Sequence, residues 1–255
     1  MSRTAIITGA TSGIGEQFTR LLSESGVYDE LWIIGRNKSK LDALKAELLP
    51  QKITAVCADL CTTEGMLKLE SMIKEHKPQI GLLINSAGTG LRAPVADQDL
   101  DEISDTLNTN CNALTLICRL CIPYLGGVRP GIINIASSAG FVPQPGFAVY
   151  AASKSYVISF SRALSAELKS RGITVTCVCP GPVNTKFQFK ATRGESTEFT
   201  GIRAYTSKEP QDVARASLKA NSKGRRLLVY GTSLKLLHIA SKLLPHQWII
   251  NAIKW

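Results

Sequence analysis

The sequence predicts a single α/β domain over residues 1–255, a doubly wound parallel sheet of about seven strands with helices on both faces. Three observations predict it. Short runs rich in Ile, Val and Leu alternate with longer stretches of helical periodicity. The runs are apolar throughout and do not alternate with polar residues, which marks strands buried on both faces. No repeat, low-complexity segment or linker interrupts the rhythm.

The elements follow in order. "TAIIT" (4–8) precedes a helix over about 13–25, and "ELWII" (30–34) precedes one over about 38–48. "KITAVC" (52–57) leads to a helix near 63–76, and "IGLLIN" (80–85) to a long helical stretch reaching about 125. "GIINIAS" (131–137) leads to a helix over about 150–170, and "ITVTCVC" (173–179) and "RLLVYG" (226–231) complete the set. Two regions break the rhythm. Residues 182–208 carry Phe187, Phe189, Phe199 and Tyr205 among polar residues, and a connection of this length reads as a substrate lid. The tail, 233–255, is rich in Leu, Ile and Trp, with Pro245 dividing it into two short helices.

Composition narrows the function classes. The chain is 44% hydrophobic and 20% charged, too apolar for disorder. Its net charge of +10 favours anionic ligands, but no run of five or six basic residues appears, so nucleic acid is not an expected partner. The seven cysteines, 57, 61, 111, 118, 121, 177 and 179, are an odd number, and "MSRTAIITGA" runs straight into a strand, which together point to reduced thiols and a cytoplasmic location. "CRLC" (118–121) lies in an apolar helical run and reads as buried core; no metal site is expected. No apolar run reaches the roughly 18 residues of a membrane span.

After the first strand comes "TGATSGIG" (8–15), in the strand–glycine turn–helix setting of a Rossmann-type dinucleotide site. Gly9, Gly13 and Gly15 let backbone approach a pyrophosphate, and the helix N-terminus offers free N–H groups and a positive dipole end. The second strand then distinguishes the cofactor. An acid near its end, about 20 residues after the loop, would hold a ribose 2′-hydroxyl. Here the strand ends "IIGRNKSK": Gly35 stands at the acid's place and Arg36 follows, a guanidinium suited to a 2′-phosphate. NADP(H) is therefore expected over NAD(H), with Ser12 adding a hydroxyl to the loop.

"TGATSGIG", "NSAG" (85–88), "YAASK" (150–154) and "PGPVNT" (180–185), in this order, resemble the short-chain dehydrogenase/reductase family. The resemblance runs from residue 4 to about 185 and more loosely to about 231; the family's motif usually reads NNAG, so Ser86 departs from it. The resemblance implies that Gly9, Ser12, Gly13, Ile14 and Gly15 line the pyrophosphate loop, that Asp59 holds the adenine amino group with Leu60 beside it, and that Asn85, Ala87 and Gly88 wall the adenosine ribose. It implies a nicotinamide clamp at Pro180, Gly181, Val183 and Thr185, and a catalytic tetrad of Asn110, Ser137, Tyr150 and Lys154. The family's thirteen-residue spacing before the tyrosine selects Ser137 over the adjacent Ser138. It also implies a homodimer or homotetramer, formed through the helices near 100–125 and 150–170.

The chemistry fits these residue types. Reducing a ketone requires hydride on carbon and a proton on oxygen. Lowering a tyrosine pKa from about 10 to about 7 takes roughly 4 kcal/mol, and a cation about 4 Å away at an effective dielectric of 20 supplies about that much. Lys154, one turn from Tyr150 on the same helical face, is expected to do so and to bind the nicotinamide ribose; Tyr150 is thus read as general acid/base and cofactor contact. Ser137, at a strand's carboxyl end, is placed to donate to the carbonyl oxygen, and Asn110 to hold a water beside Lys154. The expected activity is that of an NADPH-dependent carbonyl reductase acting on a small-molecule carbonyl or alcohol; the alternative is a non-catalytic NADP(H)-sensing regulator. Phe141, Val142, Phe147, Phe187 and Phe189 either line an apolar substrate pocket or pack the lid. The tail has three open homes: across its own cleft, at an oligomer interface, or in peripheral contact with an anionic membrane.

Overall fold

The computed structural model describes residues 3–185, 187, 191–193 and 208–252. Seven parallel strands form one sheet: β1 (Arg3–Thr8), β2 (Glu30–Gly35), β3 (Lys52–Cys57), β4 (Gln79–Asn85), β5 (Gly131–Ile135), β6 (Thr174–Pro180) and β7 (Leu227–Tyr230). Their order is β3-β2-β1-β4-β5-β6-β7. The order reverses between β1 and β4, and an open crevice forms there at the carboxyl ends of the strands.

Strand alternation divides the core in two. Ile6, Trp32, Ile34, Val56 and Leu83 point to one face, where α3 (Thr63–His76), α5 (Leu114–Cys121) and α6 (Ala148–Glu167) cover them. Ile7, Ile33, Leu82 and Ile84 point to the other, under α1 (Gly13–Ser25), α2 (Lys38–Glu47) and α7 (Pro210–Ser222). The inner strands β1, β2, β4, β5 and β6 thus bury nearly every side chain on one core or the other, which explains the unbroken apolar runs. Helix starts follow local chemistry: the Asn37 side chain accepts from the Lys40 N–H, and that of Thr62 from the Gly65 N–H.

The stretch expected as one helix to about 125 is broken. α4 (Leu100–Leu107) runs into a π-turn over Asn108–Ala113 before α5 begins, and a 3₁₀ turn over Ile122–Tyr124 ends it. The wider turn belongs to Asn110, whose side chain leaves the helix to bond Thr89 and Ser153. The tail forms α8 (Thr232–Leu243) and α9 (His246–Ala252), with the break at Pro245 that the sequence predicts. Ile253, Lys254 and Trp255 lie outside the described residues.

A buried polar chain crosses the first core. The Asn85 amide donates to Asn134 Oδ1 at 2.9 Å, and the Asn134 amide donates to Ser161 Oγ at 2.9 Å. It ties β4 and β5 to α6, the helix that carries Tyr150 and Lys154. Asn134 is wholly buried, so Asn134→Ala strands one donor and one acceptor in the core. The expected loss is about 2–4 kcal/mol, read as a lower urea midpoint with an unchanged slope.

Candidate active site

A cleft of about 820 Å³ opens at the β1/β4 crevice, within the range of cofactor and ligand sites. One end is the turn from β1 into α1. Gly9 has φ +65°, and a Cβ there would lie 2.9 Å from the Ala87 backbone; only glycine brings the loop this close to β4. Thr8 Oγ1 fixes the same contact by accepting from the Ser86 and Ala87 N–H groups at 3.1 Å. Ser12 is the N-cap of α1 and its hydroxyl makes no capping bond, leaving it for a ligand beside the helix N-terminus. Gly9, Ser12, Gly13 and Ile14 line the cleft. Gly15 does not: it packs behind the loop, where a Cβ would collide with the Gly9 carbonyl.

Arg36, Asp59, Leu60, Ala87 and Gly88 line the same end. Asp59 Oδ1 accepts from the Cys61 N–H at 3.0 Å, and Oδ2 stands 3.7 Å from Arg36 Nη1. Sequence reading treated Arg36 and Asp59 separately; the parallel pairing of β2 with β3 sets their strand ends side by side. Asn85 borders the cleft, but its amide turns inward to Asn134 and to Cys118 Sγ at 3.2 Å. Its amide therefore ties the sheet to the helices from the edge of the cleft. Cys118 and Cys121 are buried with free thiols, and burial raises the pKa of both.

The other end gathers Ser137, Tyr150 and Lys154; Pro180, Gly181, Val183 and Thr185 also line the cleft, with the Thr185 side chain against Gly13 of the glycine loop. Ser137 follows β5 and its Oγ accepts from the Ala139 N–H at 3.1 Å. Lys154 reaches across from α6 to donate to the Ile135 carbonyl at 3.1 Å. Asn110 is not at the cleft surface. Its Oδ1 accepts from Thr89 N–H at 3.0 Å, and its amide donates to Thr89 O at 2.8 Å and Ser153 Oγ at 2.9 Å. A Cβ on Gly88 would lie 3.2 Å from Asn110 Oδ1 and 3.3 Å from Lys154 Nζ, so both groups border the same small spot. The two donors of the amide are thus already committed, and Asn110 braces the lysine's surroundings.

The electrostatics differ from the sequence expectation. Burial pushes the Tyr150 phenol up to about 12, with a neighbouring Ser137 hydrogen bond opposing it. Burial lowers Lys154 to about 8, opposed by the Cys111, Cys177 and Cys179 thiols. Lys154 Nζ donates to the Ile135 carbonyl and stands 5.6 Å from the Tyr150 ring centroid, and both groups share a dry pocket that favours their neutral forms. Aromatic rings supply the dryness: Phe147 stacks on Tyr150 at 4.3 Å and Phe187 lies tilted at 5.4 Å.

The expected substrate wall is corrected in part. Phe147 and Phe187 line the cleft, whereas Phe141 and Val142 are buried in the first core. Phe189, Phe199 and Tyr205 lie outside the described residues. The ends of the 182–208 segment are pinned together, with Asn184 N–H donating to Lys208 O at 3.0 Å and Lys208 N–H to Pro182 O at 3.1 Å. Sequence reasoning missed Thr89, Arg92 and Gln144, polar residues at the cleft near Tyr150. It also missed Gly90, where a Cβ would strike the Tyr150 ring; the second glycine of "AGTG" was the available signal.

A family model for short chain dehydrogenases matches residues 3–196. An uncharacterized oxidoreductase of Staphylococcus epidermidis is 30% identical over 220 residues, covering 86% of this chain and 90% of its own. Among solved structures, a short-chain dehydrogenase from Sphingobium yanoikuyae in complex with NADPH is similar at 26% identity and a TM-score of 0.81, covering 99% of this chain and 96% of that one. A 3-ketoacyl-(acyl-carrier-protein) reductase from Brucella melitensis complexed with NADH gives 25% identity and a TM-score of 0.77, with 89% and 96% covered. The sheet order, the glycine loop at the crevice and these matches together establish that the chain belongs to the short-chain dehydrogenase family of oxidoreductases.

Proposed function

We propose that this protein is an NADPH-dependent carbonyl reductase, with Tyr150 as proton donor. The observation that carries this reading is one cleft with two chemically distinct ends: an anion cradle with a free Ser12 hydroxyl and Arg36 at one, and Ser137, Tyr150 and Lys154 at the other. The cradle fits a dinucleotide, because the space a Cβ would fill at Gly9 is backbone and Ser12 sits at an uncapped helix start. When bound, a reduced nicotinamide supplies hydride. Solved relatives carry NADPH in one case and NADH in the other, so the preference rests on Arg36 and on Gly35, where an acid would select NADH.

The chain's own groups divide the remaining work. Ser12, the loop N–H groups and Arg36 hold phosphates. Val183 and Thr185 face the nicotinamide end, and Lys154 donates to ribose hydroxyls. Ser137 orients the carbonyl oxygen, and Tyr150 gives it a proton. A phenol raised to about 12 is protonated at neutral pH, which is the form that reduction consumes. Phe147 and Phe187 favour an apolar flank on the substrate, while Arg92 and Gln144 offer polar contacts near the cleft mouth.

Two experiments test this reading. NADPH should bind more tightly than NADH by isothermal titration, and Arg36→Ala should weaken NADPH roughly ten- to a hundredfold while leaving NADH nearly unchanged. Equal affinity for both in the unmutated protein contradicts the assignment.

Across a ketone panel, Tyr150→Phe should retain NADPH binding and lose roughly 10²–10⁴ in turnover. Ser137→Ala should be impaired and Ser138→Ala tolerated. In the unmutated protein kcat/KM should fall as pH rises through about 8, where Lys154 loses its charge while Tyr150 keeps its proton. A profile flat across that range shows that the charge of Lys154 is not required.

A further inference from the structure

The basic residues are spread along the chain, but the acidic ones are not. After Asp212 no Asp or Glu occurs, while eight Lys and Arg do, so eight of the ten net charges belong to residues 213–255. The fold gathers several of them. Lys219 and Lys223 from α7, Arg225 before β7 and Lys235 from the first turn of α8 line a surface depression of about 410 Å³, with Tyr230 and Thr232 between them. No acidic side chain lines it.

α8 continues from this depression and is two-faced. Its inner face seats the helix: Leu234 packs on Gly181, Leu237 joins the first core, and His238 lies 4.5 Å from the Phe141 ring. Its outer face carries Leu236, Ile239 and Leu243 at i, i+3 and i+7, which are 67%, 54% and 76% exposed. Lys235 and Lys242 lie beside this stripe, Leu244 at the end of the helix is 44% exposed, and beyond the Pro245 break Trp248 is 66% exposed. Among the described residues no helix is long and apolar enough to cross a membrane. α8, of 12 residues, reaches only about 18 Å.

A second copy of the chain is a poor occupant. A two-fold contact through this face brings the two basic depressions together with no acid to compensate. We infer that the face docks on an anionic phospholipid membrane, the Leu236–Ile239–Leu243 stripe and Trp248 entering the headgroup–acyl boundary while Lys219, Lys223, Arg225 and Lys235 meet lipid phosphates. Leu234 lies against Gly181 of the cleft wall, so docking sets the cleft close to the bilayer.

The test is co-sedimentation of the full chain with vesicles of phosphatidylcholine, with or without phosphatidylglycerol. Binding should require phosphatidylglycerol and weaken as salt rises. Leu236→Ser/Leu243→Ser should weaken it about tenfold or more, and Lys219→Glu/Lys223→Glu/Lys235→Glu about a hundredfold. All five side chains are exposed, so the melting temperature should not move and folding is controlled. Equal binding to neutral vesicles, no binding to either kind, or full retention by either variant overturns the inference. So does a vesicle-free dimer that the leucine variant converts to monomer, which assigns the face to a second copy.

Discussion

Everything at the Ser137–Tyr150–Lys154 end of the cleft depends on Lys154 being held almost without water. The side chain is 4% exposed and crosses from α6 to the Ile135 carbonyl at the end of β5. Burying an ammonium is expensive, and its pKa falls to about 8 as a result. The fold tolerates the cost because the lysine is enclosed by elements that cannot retreat. β5 is a central strand, α6 is anchored by the Asn85–Asn134–Ser161 chain, and Asn110 braces the third side through Thr89 and Ser153. The same enclosure presses Tyr150 between Phe147 and Phe187 and raises its pKa. One constraint, dryness, thus shifts both groups toward their neutral forms and keeps the phenol protonated.

The opposite end works by the reverse principle. Arg36 and Ser12 are exposed, and the pair of Arg36 with Asp59 is a loose surface contact at 3.7 Å. Such a pair gives little stability and holds the guanidinium only loosely at the cleft. The cleft is dry at the end that holds Tyr150 and Lys154, and open and charged at the end that holds Arg36 and Ser12.

Most of this was legible in the sequence where local pattern decides. The strands fall within a residue or two of their apolar runs, because strands buried on both faces leave no polar positions to blur them. The glycine loop was legible because backbone approach demands glycine. Three features were not. The π-turn at Asn108–Ala113 depends on Asn110 reaching Thr89, a tertiary bond invisible to helical periodicity. The inward turn of Asn85 depends on Asn134, 49 residues away. The raised pKa of Tyr150 and the lowered pKa of Lys154 depend on burial, which spacing along a helix does not report. Phe141 and Val142 were misplaced for a related reason: an aromatic run beside an active-site serine looks the same whether it faces the cleft or the core.

The most direct test of hydride transfer at this site is isotopic. With NADPH deuterated at the transferable C4 position and a ketone that the enzyme turns over, the account predicts deuterium on the carbinol carbon of the product alcohol, and a hydroxyl proton that comes from solvent. Alcohol formed without deuterium at that carbon from either face of the cofactor, or cofactor left unconsumed by every ketone offered, would contradict it.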